Sequence, residues 1–505
     1  MPDAAKRGEG RPVRELLSGM TGTAPDPALV VSGLSMDSRK TRAGDLFLAC
    51  RGGHTRGARH IPEAVRAGAA AVAVEAADCP REDAGRPLFP IAGLRARAGI
   101  VADRFYASPS RELRAVGVTG TNGKTTVAHL IGGGLARLRG NDRCCGLIGS
   151  LGNGFPRALR PGPHTTPDPV ALHALLREMR GLGADYAAIE VSSHALDQER
   201  ASGVRFQLAV FTNLGRDHLD YHGNRERYAA AKRRLLSWPG LQAAILNLDD
   251  AHGRRWFREL QDARREVIGY TLRQAPPPGG GPCLQGRIEA ADRDGMTLSL
   301  RGPWGEGRLR TPLIGEASAG NLLAAAAALC RLGAPPAQAL AALGALEAVP
   351  GRMERFAAPG RPLAVVDYAH NPEALRQALR SLRDITPGRL WCVFGCGGDR
   401  DRGKRPEMGK AAAELADRAI ATNDNPRGEP PLQIIEEIRA GARRDRRPEA
   451  IPDRKQAIAA AIAGAGETDT VLVAGKGHER FQEAGGRRRP FDDRLQVRRA
   501  LGLAP

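Results

Sequence analysis

The chain has 505 residues, of which 42% are hydrophobic, so it is too long for one ordinary domain and apolar enough to form cores; we expect roughly two to four domains of a soluble α/β class. Its formal net charge of +19 would suit a nucleic-acid-binding protein, but the arginines are spread along the chain and aromatic residues make up only 4%, which disfavours that function and favours anionic substrates. The eight cysteines show no C-x-x-C or framework spacing, and the sequence has neither a signal-type apolar region nor an apolar run of about eighteen residues, so we predict a cytoplasmic protein that does not insert into membranes.

Lysine is unusually rare in this chain. The 75 Lys plus Arg residues include only eight lysines, so lysine is expected to survive mainly where a guanidinium cannot replace an ammonium. Codon bias accounts for half of them. The others are found in segments that carry motifs: Lys124, Lys232, Lys404 and Lys476.

Strands and helices alternate along the first half of the chain. An extended segment at 44–49 and a valine-rich strand near 70–75 precede a break at 107–110. A strand at 113–119 then turns through glycines into a helix that begins near Lys124. Further apolar strands are predicted at 186–191, 208–212 and 243–248, each followed by polar or helical sequence, which is the pattern of a parallel sheet.

A second series begins after a proline- and glycine-rich excursion at 274–282, a helix at 324–332 and a break at 349–352. Its strands are predicted at 363–368, 390–395, 418–422 and 470–474. We therefore expect three domains, at 1–107, 108–349 and 350–505, without an internal repeat.

A glycine-rich segment follows the predicted strand at 113–119. It reads Gly117-Val-Thr-Gly-Thr-Asn-Gly-Lys-Thr-Thr126 and leads into a helix, an arrangement in which backbone N–H groups bind the phosphates of a nucleotide. Lys124 would then reach the β- and γ-phosphates, and the Thr125 hydroxyl would bind Mg²⁺. The spacing departs from the usual pattern because Val118 stands where the first glycine would be. The predicted nucleotide-binding residues are Gly120, Thr121, Asn122, Gly123, Lys124, Thr125 and Thr126.

Carboxylates and imidazoles follow the next two predicted strands. Glu190 ends the strand at 186–191, and the segment Thr212-Asn-Leu-Gly-Arg-Asp-His-Leu-Asp-Tyr-His222 follows the strand at 208–212. Because residues past the carboxyl ends of parallel strands line the ligand crevice, we expect Glu190 and His218 to face the nucleotide and to bind Mg²⁺. A zinc site remains an alternative for Asp217, His218, Asp220 and His222, and Asp220 and His222 are equally well explained as a helix cap and a packed side chain.

Lys232 lies in a predicted helix at 228–236, one face of which would be turned toward this site. An ammonium next to Mg²⁺ would be repelled. A lysine whose pKa is lowered can, however, react with CO₂ to give an anionic carbamate that binds metal through oxygen, which arginine cannot do. The residues alone favour an unmodified lysine and leave the carbamate open.

Several motifs together resemble those of the Mur ligases, in the same order. They are Gly-Thr-Asn-Gly-Lys-Thr at 120–125, Glu-Val-Ser-Ser-His at 190–194, Thr-Asn-Leu with Asp-His-Leu-Asp-Tyr-His-Gly at 212–223, Tyr-x-x-Ala-Lys at 228–232, Asp-Tyr-Ala-His-Asn-Pro at 367–372 and Gly-Lys-Gly-His-Glu at 475–479. From about Met36 to Gln482 the chain is similar to this family, and within it to the enzymes that add the third amino acid of the peptidoglycan peptide.

The resemblance implies a fold and a reaction. The fold would be α/β with a small N-terminal UDP-binding domain, a central P-loop-type ATPase domain built on a parallel sheet, and a C-terminal Rossmann-like domain that brings the amino acid. In the reaction, ATP would phosphorylate the D-glutamyl γ-carboxylate of UDP-MurNAc-L-Ala-D-Glu, and the amine of meso-diaminopimelate would attack the acyl phosphate. A carboxylate is a poor electrophile, so the mixed anhydride supplies the leaving group. We expect a monomer with no nucleic-acid partner.

The resemblance also assigns residues. It makes Lys232 the carbamylated lysine and places it with Thr125, Glu190 and His218 at the metal, so that Lys124, Lys232, Glu190 and His218 form the catalytic set. The resemblance adds four residues to the predicted nucleotide site: Asn321, Arg352, Asp367 and His370. The muramoyl dipeptide positions match Thr165, Thr166, Ser192, Gln198 and Arg200. The uridine-nucleotide positions match Met36, Ser38, Gly53, His54 and Thr55.

Two segments depart from the family pattern. The usual Asp-Gly after the turn at 53–55 reads Arg56-Gly57. The usual Gly-x-Phe-Asn-x-x-Asn of the central domain reads Gly315-Glu-Ala-Ser-Ala-Gly-Asn321, so Asn321 alone keeps a polar role near the adenine. The first departure bears on UDP binding and the second on ATP affinity.

Two arginine-containing segments follow strands of the C-terminal domain, Gly398-Asp-Arg-Asp401 and Asp424-Asn-Pro-Arg427. Two arginines converging on one crevice would bind a ligand carboxylate through planar, bidentate pairs, and meso-diaminopimelate has a distal carboxylate that lysine lacks. The Asp-Asn-Pro-Arg motif resembles diaminopimelate-adding members, and Glu479 would bind the distal ammonium. The predicted acceptor residues are Arg400, Asp424, Asn425, Pro426, Arg427, Gly475 and Glu479. A plain surface turn is the alternative for Arg427.

Two other functions remain alternatives. One is a ligase of the same class with another acceptor, such as a lysine-adding ligase or a folylpolyglutamate synthetase. The N-terminal segments at 37–39 and 44–47 disfavour the folylpolyglutamate synthetase. The other is a catalytically silent relative of the Mur ligases that serves as a nucleic-acid-associated scaffold. The presence of Lys124 and Lys232 disfavours it.

Overall fold

The computed structural model describes residues 10–52, 55–82, 84–273 and 280–504. The predicted uridine-site residues Gly53 and His54, and the first six residues of the excursion at 274–282, lie outside the described residues. The chain divides into two compact units: the first is Met1–Thr119, Arg139–Ala209 and Ala231–Ala243, and the second is Gly120–Leu138, Val210–Ala230 and Ala244–Pro505.

The described strands, in chain order, are β1 (Arg11–Pro12), β2 (Val30–Val31), β3 (Gly33–Ser35), β4 (Asp45–Ala49), β5 (Ala71–Glu75), β6 (Leu88–Ile91), β7 (Arg114–Thr119), β8 (Cys145–Gly149), β9 (Gly152–Phe155), β10 (Ala158–Arg160), β11 (Tyr186–Glu190), β12 (Phe206–Phe211), β13 (Ala243–Asn247), β14 (Glu266–Thr271), β15 (Cys283–Asp292), β16 (Gly295–Gly302), β17 (Gly305–Thr311), β18 (Glu354–Phe356), β19 (Leu363–Asp367), β20 (Leu390–Phe394), β21 (Arg418–Ala421), β22 (Glu449–Ala450), β23 (Thr470–Ala474), β24 (Phe481–Ala484) and β25 (Arg487–Pro490).

The described α-helices are α1 (Val13–Leu16), α2 (Ile61–Arg66), α3 (Leu94–Phe105), α4 (Pro109–Glu112), α5 (Lys124–Arg139), α6 (Pro169–Gly181), α7 (Ser193–Asp197), α8 (Leu219–His222), α9 (Arg225–Leu236), α10 (Ala251–Asp262), α11 (Glu316–Arg331), α12 (Pro336–Gly344), α13 (Pro372–Arg383), α14 (Lys404–Leu415), α15 (Pro431–Arg439), α16 (Arg454–Gly464) and α17 (Asp493–Leu501). None of them is long and apolar enough to cross a membrane.

The first unit contains a small parallel sheet and part of a larger one. Strands β3, β4, β5 and β6 pair in sequence order and in parallel, and β4 and β5 confirm the strands predicted at 44–49 and 70–75. In the larger sheet β11 lies between β8 and β7, parallel to both, so that Glu190 at the end of β11 is opposite Val118. All five residues of β8 and of β11 are buried, as expected for central parallel strands. The predicted break at 107–110 is short, because α4 begins at Pro109.

The strands of the second unit include antiparallel ones that the sequence analysis did not predict. Strands β13 to β17 follow one another in sheet order, but β15, β16 and β17 pair antiparallel. The β15–β16 turn has Gly295 at φ 152°, and the Asp292 carboxylate accepts hydrogen bonds from the N–H groups of Asp294 and Gly295. An Asp-Gly pair between strands is a hairpin signal, so the sequence did carry this turn. Helix α11 begins at Glu316, eight residues before the predicted helix at 324–332.

The C-terminal part of the second unit is a sheet of order β18-β19-β23-β20-β21-β22. Strands β19, β23, β20, β21 and β22 are parallel. Of these, β19, β20, β21 and β23 confirm the predicted strands at 363–368, 390–395, 418–422 and 470–474 within a residue, and β22 was not predicted. Val365 and Leu472 belong to one hydrophobic cluster, whereas Val366 and Val473 belong to another. Since neighbouring residues of a strand point to opposite faces, both faces of this sheet are covered, as predicted for a Rossmann-like domain.

Candidate functional site

The predicted phosphate loop has the expected strand–turn–helix form. Strand β7 ends at Thr119 and α5 begins at Lys124. Between them, Gly123 has φ 85°, and a Cβ at this position would lie 2.5 Å from Oδ1 of Asn321. The Lys124 ammonium donates hydrogen bonds to the carbonyl oxygens of Gly120 and Thr121, both at 2.9 Å. The turn therefore requires glycine, and the lysine head group lies over the loop.

Polar residues that the sequence analysis did not assign hold the centre of this loop. Asn122 accepts a hydrogen bond from the Thr212 hydroxyl at 2.5 Å on its carbonyl oxygen, and donates its backbone N–H to Oδ1 of Asn213 at 3.0 Å. Its side-chain oxygen accepts from Nδ2 of Asn371 at 3.2 Å. Each of these partners lies just past a strand within one of the family motifs: Thr212, Asn213 and Asn371. Their positions in those motifs could have identified them from the sequence.

Two cavities of the second unit open onto the loop. The smaller, about 80 Å³, is lined by Asn122, Gly123, Thr126, Asn321, Arg352 and Asp367 among others. The larger, about 680 Å³, is lined by Asn122, Gly123 and Asn321 together with Asp250, Arg273 and Glu373. The larger volume falls within the range of roughly 300–1,000 Å³ that is usual for small-molecule sites. Ala317, one of the departures from the family pattern, lines both cavities.

Arg352 and Asp367, both predicted for the nucleotide site, flank the smaller cavity. The Arg352 guanidinium donates to the Thr125 hydroxyl at 3.1 Å and lies 4.4 Å from the centre of the Tyr368 ring. Asp367 accepts a hydrogen bond from the backbone N–H of Met353 at 2.8 Å, and its burial raises its pKa. The structure thus brings these residues together with Thr125.

Asp217 forms the centre of a small charged group with His218 and His370. Its Oδ2 lies 3.6 Å from Nε2 of His218 and 3.5 Å from Nε2 of His370, and Nδ1 of His370 lies 2.8 Å from the Tyr368 carbonyl oxygen. Burial opposes ionisation of Asp217, but the hydrogen bond from His370 and the positive charges nearby outweigh it and keep the pKa of Asp217 far below its usual value. An ionised Asp217 therefore orients both imidazoles.

Glu190, in the first unit, is a buried carboxylate with a well-defined setting. Its side chain accepts hydrogen bonds from the N–H of Ser150 at 2.9 Å and from the Ser150 hydroxyl at 3.3 Å. Its backbone carbonyl accepts one from the Thr166 hydroxyl at 2.8 Å. Gly149 is required here, because a Cβ at that position would lie 2.0 Å from Oε1 of Glu190. Ser150, just past the end of β8, was not among the predicted residues.

The five residues predicted for the dipeptide lie close together in the first unit. Ser150 joins the cluster through its hydroxyl, 3.0 Å from that of Thr165. Arg200 donates to Oε1 of Gln198 at 3.0 and 2.7 Å and to the carbonyl oxygen of Thr166 at 3.1 Å. Ser192 receives the Thr166 hydroxyl at 3.4 Å and caps α7. A cluster of hydroxyl and guanidinium donors is suited to binding an anionic peptide.

The four residues predicted to hold Mg²⁺ are divided between the units: Thr125 and His218 belong to the second, and Glu190 and Lys232 to the first. The Glu190 carboxylate and the Thr125 hydroxyl are hard oxygen donors of the kind that Mg²⁺ prefers. Within the described ranges, no group of three or more His, Cys, Asp and Glu side chains is placed to hold a metal ion. A carbamate on Lys232, which is 1% exposed, would add an oxygen ligand outside these residue types. The Mg²⁺ site stays a prediction.

The described part of the predicted uridine site lies in the first unit. The Ser38 hydroxyl donates to Glu63 at 2.6 Å, the Thr55 carbonyl accepts from the N–H of Gly52 at 2.8 Å, and Met36 packs against the hydrophobic core. Arg56, the residue that departs from the family pattern, lies 3.7 Å from the Asp78 carboxylate, which also binds Arg51 at 2.6 Å. The arginine that replaces the usual aspartate therefore lies near an acidic side chain.

The predicted acceptor residues converge in the second unit. A Cβ at Gly397 would lie 2.8 Å from the Arg427 guanidinium and 3.8 Å from Cγ of Arg400, so the two arginines flank the same glycine. Nδ2 of Asn425 donates to Oε2 of Glu479 at 2.8 Å. Gly475, at φ 119°, leaves room for Asp424, whose Oδ2 would lie 2.6 Å from a Cβ there. Burial opposes ionisation of Asp424, but Lys476 and other cations lower its pKa below the usual value.

Lys476 is the acceptor-site residue that the motif analysis left without a role. Its ammonium is fully buried and donates to Oδ1 of Asn425 and Oε2 of Glu479, both at 3.0 Å. The same Oε2 accepts from Asn425, so both donors meet one oxygen of Glu479. The scarcity of lysine was the signal for it, because an ammonium fits where a larger guanidinium would not.

Three family models match the chain in order. They are described as Mur ligase family, catalytic domain, at 30–106; Mur ligase middle domain, at 118–329; and Mur ligase, glutamate ligase domain, at 351–477.

Similar proteins match along nearly the whole chain. The UDP-N-acetylmuramoyl-L-alanyl-D-glutamate--2,6-diaminopimelate ligase of Alkalilimnicola ehrlichii is 49% identical over 482 residues, which cover 94% of this chain and 95% of that protein. The protein of the same name from Pseudomonas aeruginosa is 49% identical over 476 residues, with 94% and 95% covered. A solved structure of a ligase of this name matches with a TM-score of 0.70 at 36% identity and covers 98% of this chain and 99% of its own.

Proposed function

The chain belongs to the Mur ligase family, and we propose that it joins meso-diaminopimelate to the D-glutamyl γ-carboxylate of UDP-MurNAc-L-Ala-D-Glu at the expense of ATP. The acceptor crevice carries this proposal. Hydrogen bonds connect the Glu479 carboxylate to the Arg427 guanidinium: Nδ2 of Asn425 donates to Oε2 of Glu479, the carbonyl oxygen of Asn425 accepts the N–H of Gly398, and the carbonyl oxygen of Gly398 accepts from Arg427. A distal amino-acid head, with one carboxylate and one ammonium, is complementary to them.

The nucleotide part of the proposal rests on the phosphate loop and the cavity of about 680 Å³ beside it. The triphosphate would lie over the loop, where the N–H groups and the N-terminus of α5 attract anions. Lys124, whose ammonium now binds two loop carbonyls, would turn to the transferring phosphoryl group. Asn321 lines both cavities and would contact the base.

The proposed reaction has two chemical steps. The D-glutamyl carboxylate attacks the γ-phosphorus of ATP, ADP leaves, and an acyl phosphate forms; the acceptor amine then attacks the acyl carbon, and phosphate leaves from the tetrahedral intermediate. Lys124 offsets the charge that develops on the phosphoryl oxygens. Mg²⁺, when held by Thr125, Glu190, His218 and a carbamate on Lys232, would supply further positive charge at the same oxygens.

The dipeptide cluster of the first unit would position the electrophile. Thr165, Thr166, Ser192 and Arg200 offer donors for the peptide and carboxylate oxygens of UDP-MurNAc-L-Ala-D-Glu, while Ser38 and Thr55 belong to the uridine end. We assign the three domains to 1–107, 108–349 and 350–505, and we place the reaction in the cytoplasm, carried out by a monomer.

Phosphate release tests the proposal directly. Purified protein is given Mg-ATP and UDP-MurNAc-L-Ala-D-Glu in parallel with meso-diaminopimelate, L-lysine or no acceptor. We expect release with diaminopimelate alone, together with the mass of the tripeptide product. Release with lysine would keep the ligase and overturn the account of Arg427. If folded protein released no phosphate in any of the three reactions and bound DNA in a salt-dependent manner, the scaffold function would be favoured instead.

Arg427→Met is expected to lower kcat/KM for diaminopimelate by about 10²-fold, because a bidentate partner of a desolvated carboxylate is lost. The KM for ATP should stay within about twofold. L-Lysine has no distal carboxylate for Arg427 to bind, so Arg427→Met should also reduce the preference for diaminopimelate over lysine. Arg443→Met is the matched control, since Arg443 is highly exposed and pairs with its neighbour Asp445. Unchanged acceptor preference in Arg427→Met would show that Arg427 belongs to a surface turn.

A further inference from the structure

Two loops carry the acceptor arginines. The first acceptor loop, residues 397–401, follows β20 and contains Arg400; the second acceptor loop, residues 424–429, follows β21 and contains Arg427. Hydrogen bonds join the two loops: the N–H of Gly398 donates to the carbonyl of Asn425 at 2.9 Å, the Arg427 guanidinium to the carbonyl of Gly398 at 2.8 Å, the N–H of Gly428 to Oδ2 of Asp399 at 3.0 Å, and the N–H of Asp399 to Oε1 of Glu429 at 2.6 Å. The loops therefore form one structural piece.

Each acceptor loop contains a residue in an unfavourable backbone conformation. Asp399 has φ 53° and Arg427 has φ 51°, in the left-handed region that favours glycine. Such conformations are unfavourable for residues other than glycine and persist where the surroundings hold them. Something must therefore offset the strain in both loops.

A fully buried arginine lies behind both loops. Arg405, near the start of α14, donates to both carboxylate oxygens of Glu429 at 2.8 and 2.7 Å and to the carbonyl of Gly397 at 3.3 Å. Glu429 ends the second acceptor loop and also accepts the N–H of Asp399, in the first, at 2.6 Å. The hydrogen bonds from Arg405 lower the pKa of Glu429 to about 2, so this carboxylate is ionised at every working pH.

Arg405 has a second acidic partner that does not reach the acceptor loops. Glu437, on α15, accepts from Arg405 at 2.7 Å and from Gln433 at 3.2 Å, and it also pairs with Arg402. The two glutamates thus share one arginine, but only Glu429 has a hydrogen bond to the first acceptor loop among the contacts of the described residues. Glu429 and Glu437 can therefore be compared to tell whether Arg405 holds the loops or only stabilises the fold.

We propose that Arg405 and Glu429 form a clamp that holds the two acceptor loops in their strained conformation and so positions Arg400 and Arg427 for the acceptor carboxylate. Both are positioning residues, and neither contacts the acceptor. The inference rests on the proposed function and adds to it the residues that set acceptor affinity from behind the site. Stability alone is a weak reason for such a group, because a buried ion pair is often no more stabilising than apolar residues of the same size.

Glu429→Gln and Glu437→Gln test the clamp as a matched pair. Each replaces one carboxylate partner of Arg405 by an amide of the same size. In Glu429→Gln we expect the KM for diaminopimelate to rise by about 10-fold or more, because small misplacements of a binding group have large kinetic effects, while the KM for ATP changes by less than about twofold. In Glu437→Gln both constants should stay within about twofold of wild type. Arg405→Lys, which keeps the charge and loses the bidentate contact, should resemble Glu429→Gln.

Several results would overturn the clamp. An unchanged KM for diaminopimelate in Glu429→Gln would do so, as would equal rises of both KM values or equal effects in the two glutamine variants. Thermal unfolding of each variant shows whether it is folded at the assay temperature. A variant that loses only apparent kcat, in proportion to its loss of folded protein and with KM unchanged, also counts against the clamp. Wild-type protein without diaminopimelate-dependent phosphate release would refute the proposed function itself, and the variants are not needed to see it.

Discussion

Lys124→Met is expected to lower kcat for ADP formation by about 10³-fold, because it removes the ammonium that we propose turns to the transferring phosphoryl group. The side chain is well placed for this loss to be specific. Its ammonium contacts the carbonyls of Gly120 and Thr121 within its own loop, so methionine removes two hydrogen bonds and leaves the glycine turn with the contacts that Asn122 makes. Steady-state ADP release with all three substrates present measures the effect.

Two further variants show what the loss means. Lys124→Arg should be nearly as inactive as Lys124→Met, since a planar guanidinium does not fit a position built for a compact ammonium; near-normal turnover would contradict the argument from lysine scarcity. Lys410→Met is the control, because Lys410 is exposed and pairs with Glu414 one helical turn away. If Lys124→Met kept more than about a tenth of the wild-type kcat, Lys124 would not be acting on the phosphoryl group.

The phosphate loop and the C-terminal strands were predictable because their signals are local. The glycines and Lys124 stand within a few residues of each other, and they follow an apolar strand. Four C-terminal strands are short apolar runs bounded by polar sequence, and their predicted ends differ from the observed ones by no more than a residue. The family resemblance added residues such as Arg352, whose contact with Thr125 joins positions 227 residues apart.

The contacts that the sequence did not reveal are long-range or unusual. Ser150 and Glu190 meet across 40 residues, and Asn122 and Asn213 across 91. The antiparallel strands β15 to β17 were missed because they have one exposed face, rich in arginine and glutamate, and so lack a continuous apolar run. The pairing of Arg56 with Asp78 explains how one departure from the family pattern is accommodated, which the pattern itself could not show.

Lys232→Ala is expected to lower kcat by about 10²–10³-fold, a loss similar to that of a group that stabilises the charge of the transition state. Lys232 lies on α9 with 1% of its surface exposed. A carbamate at this position would turn a buried cation into an anion, as the proposed role in binding Mg²⁺ requires. Arginine cannot form a carbamate, so Lys232→Arg should lose as much activity as Lys232→Ala although it keeps the positive charge.

Carbon dioxide provides the decisive control for Lys232. Wild-type protein prepared in CO₂-free buffer should lose activity and recover it when bicarbonate is added, whereas both Lys232 variants should not respond. With ¹³C-labelled bicarbonate, a carbamate resonance should appear in the wild-type spectrum and not in that of Lys232→Arg. Full activity in CO₂-free buffer without such a resonance would mean that Lys232 acts as an ordinary ammonium. The proposed Mg²⁺ site would then need a different anionic ligand, because an ammonium repels a divalent cation.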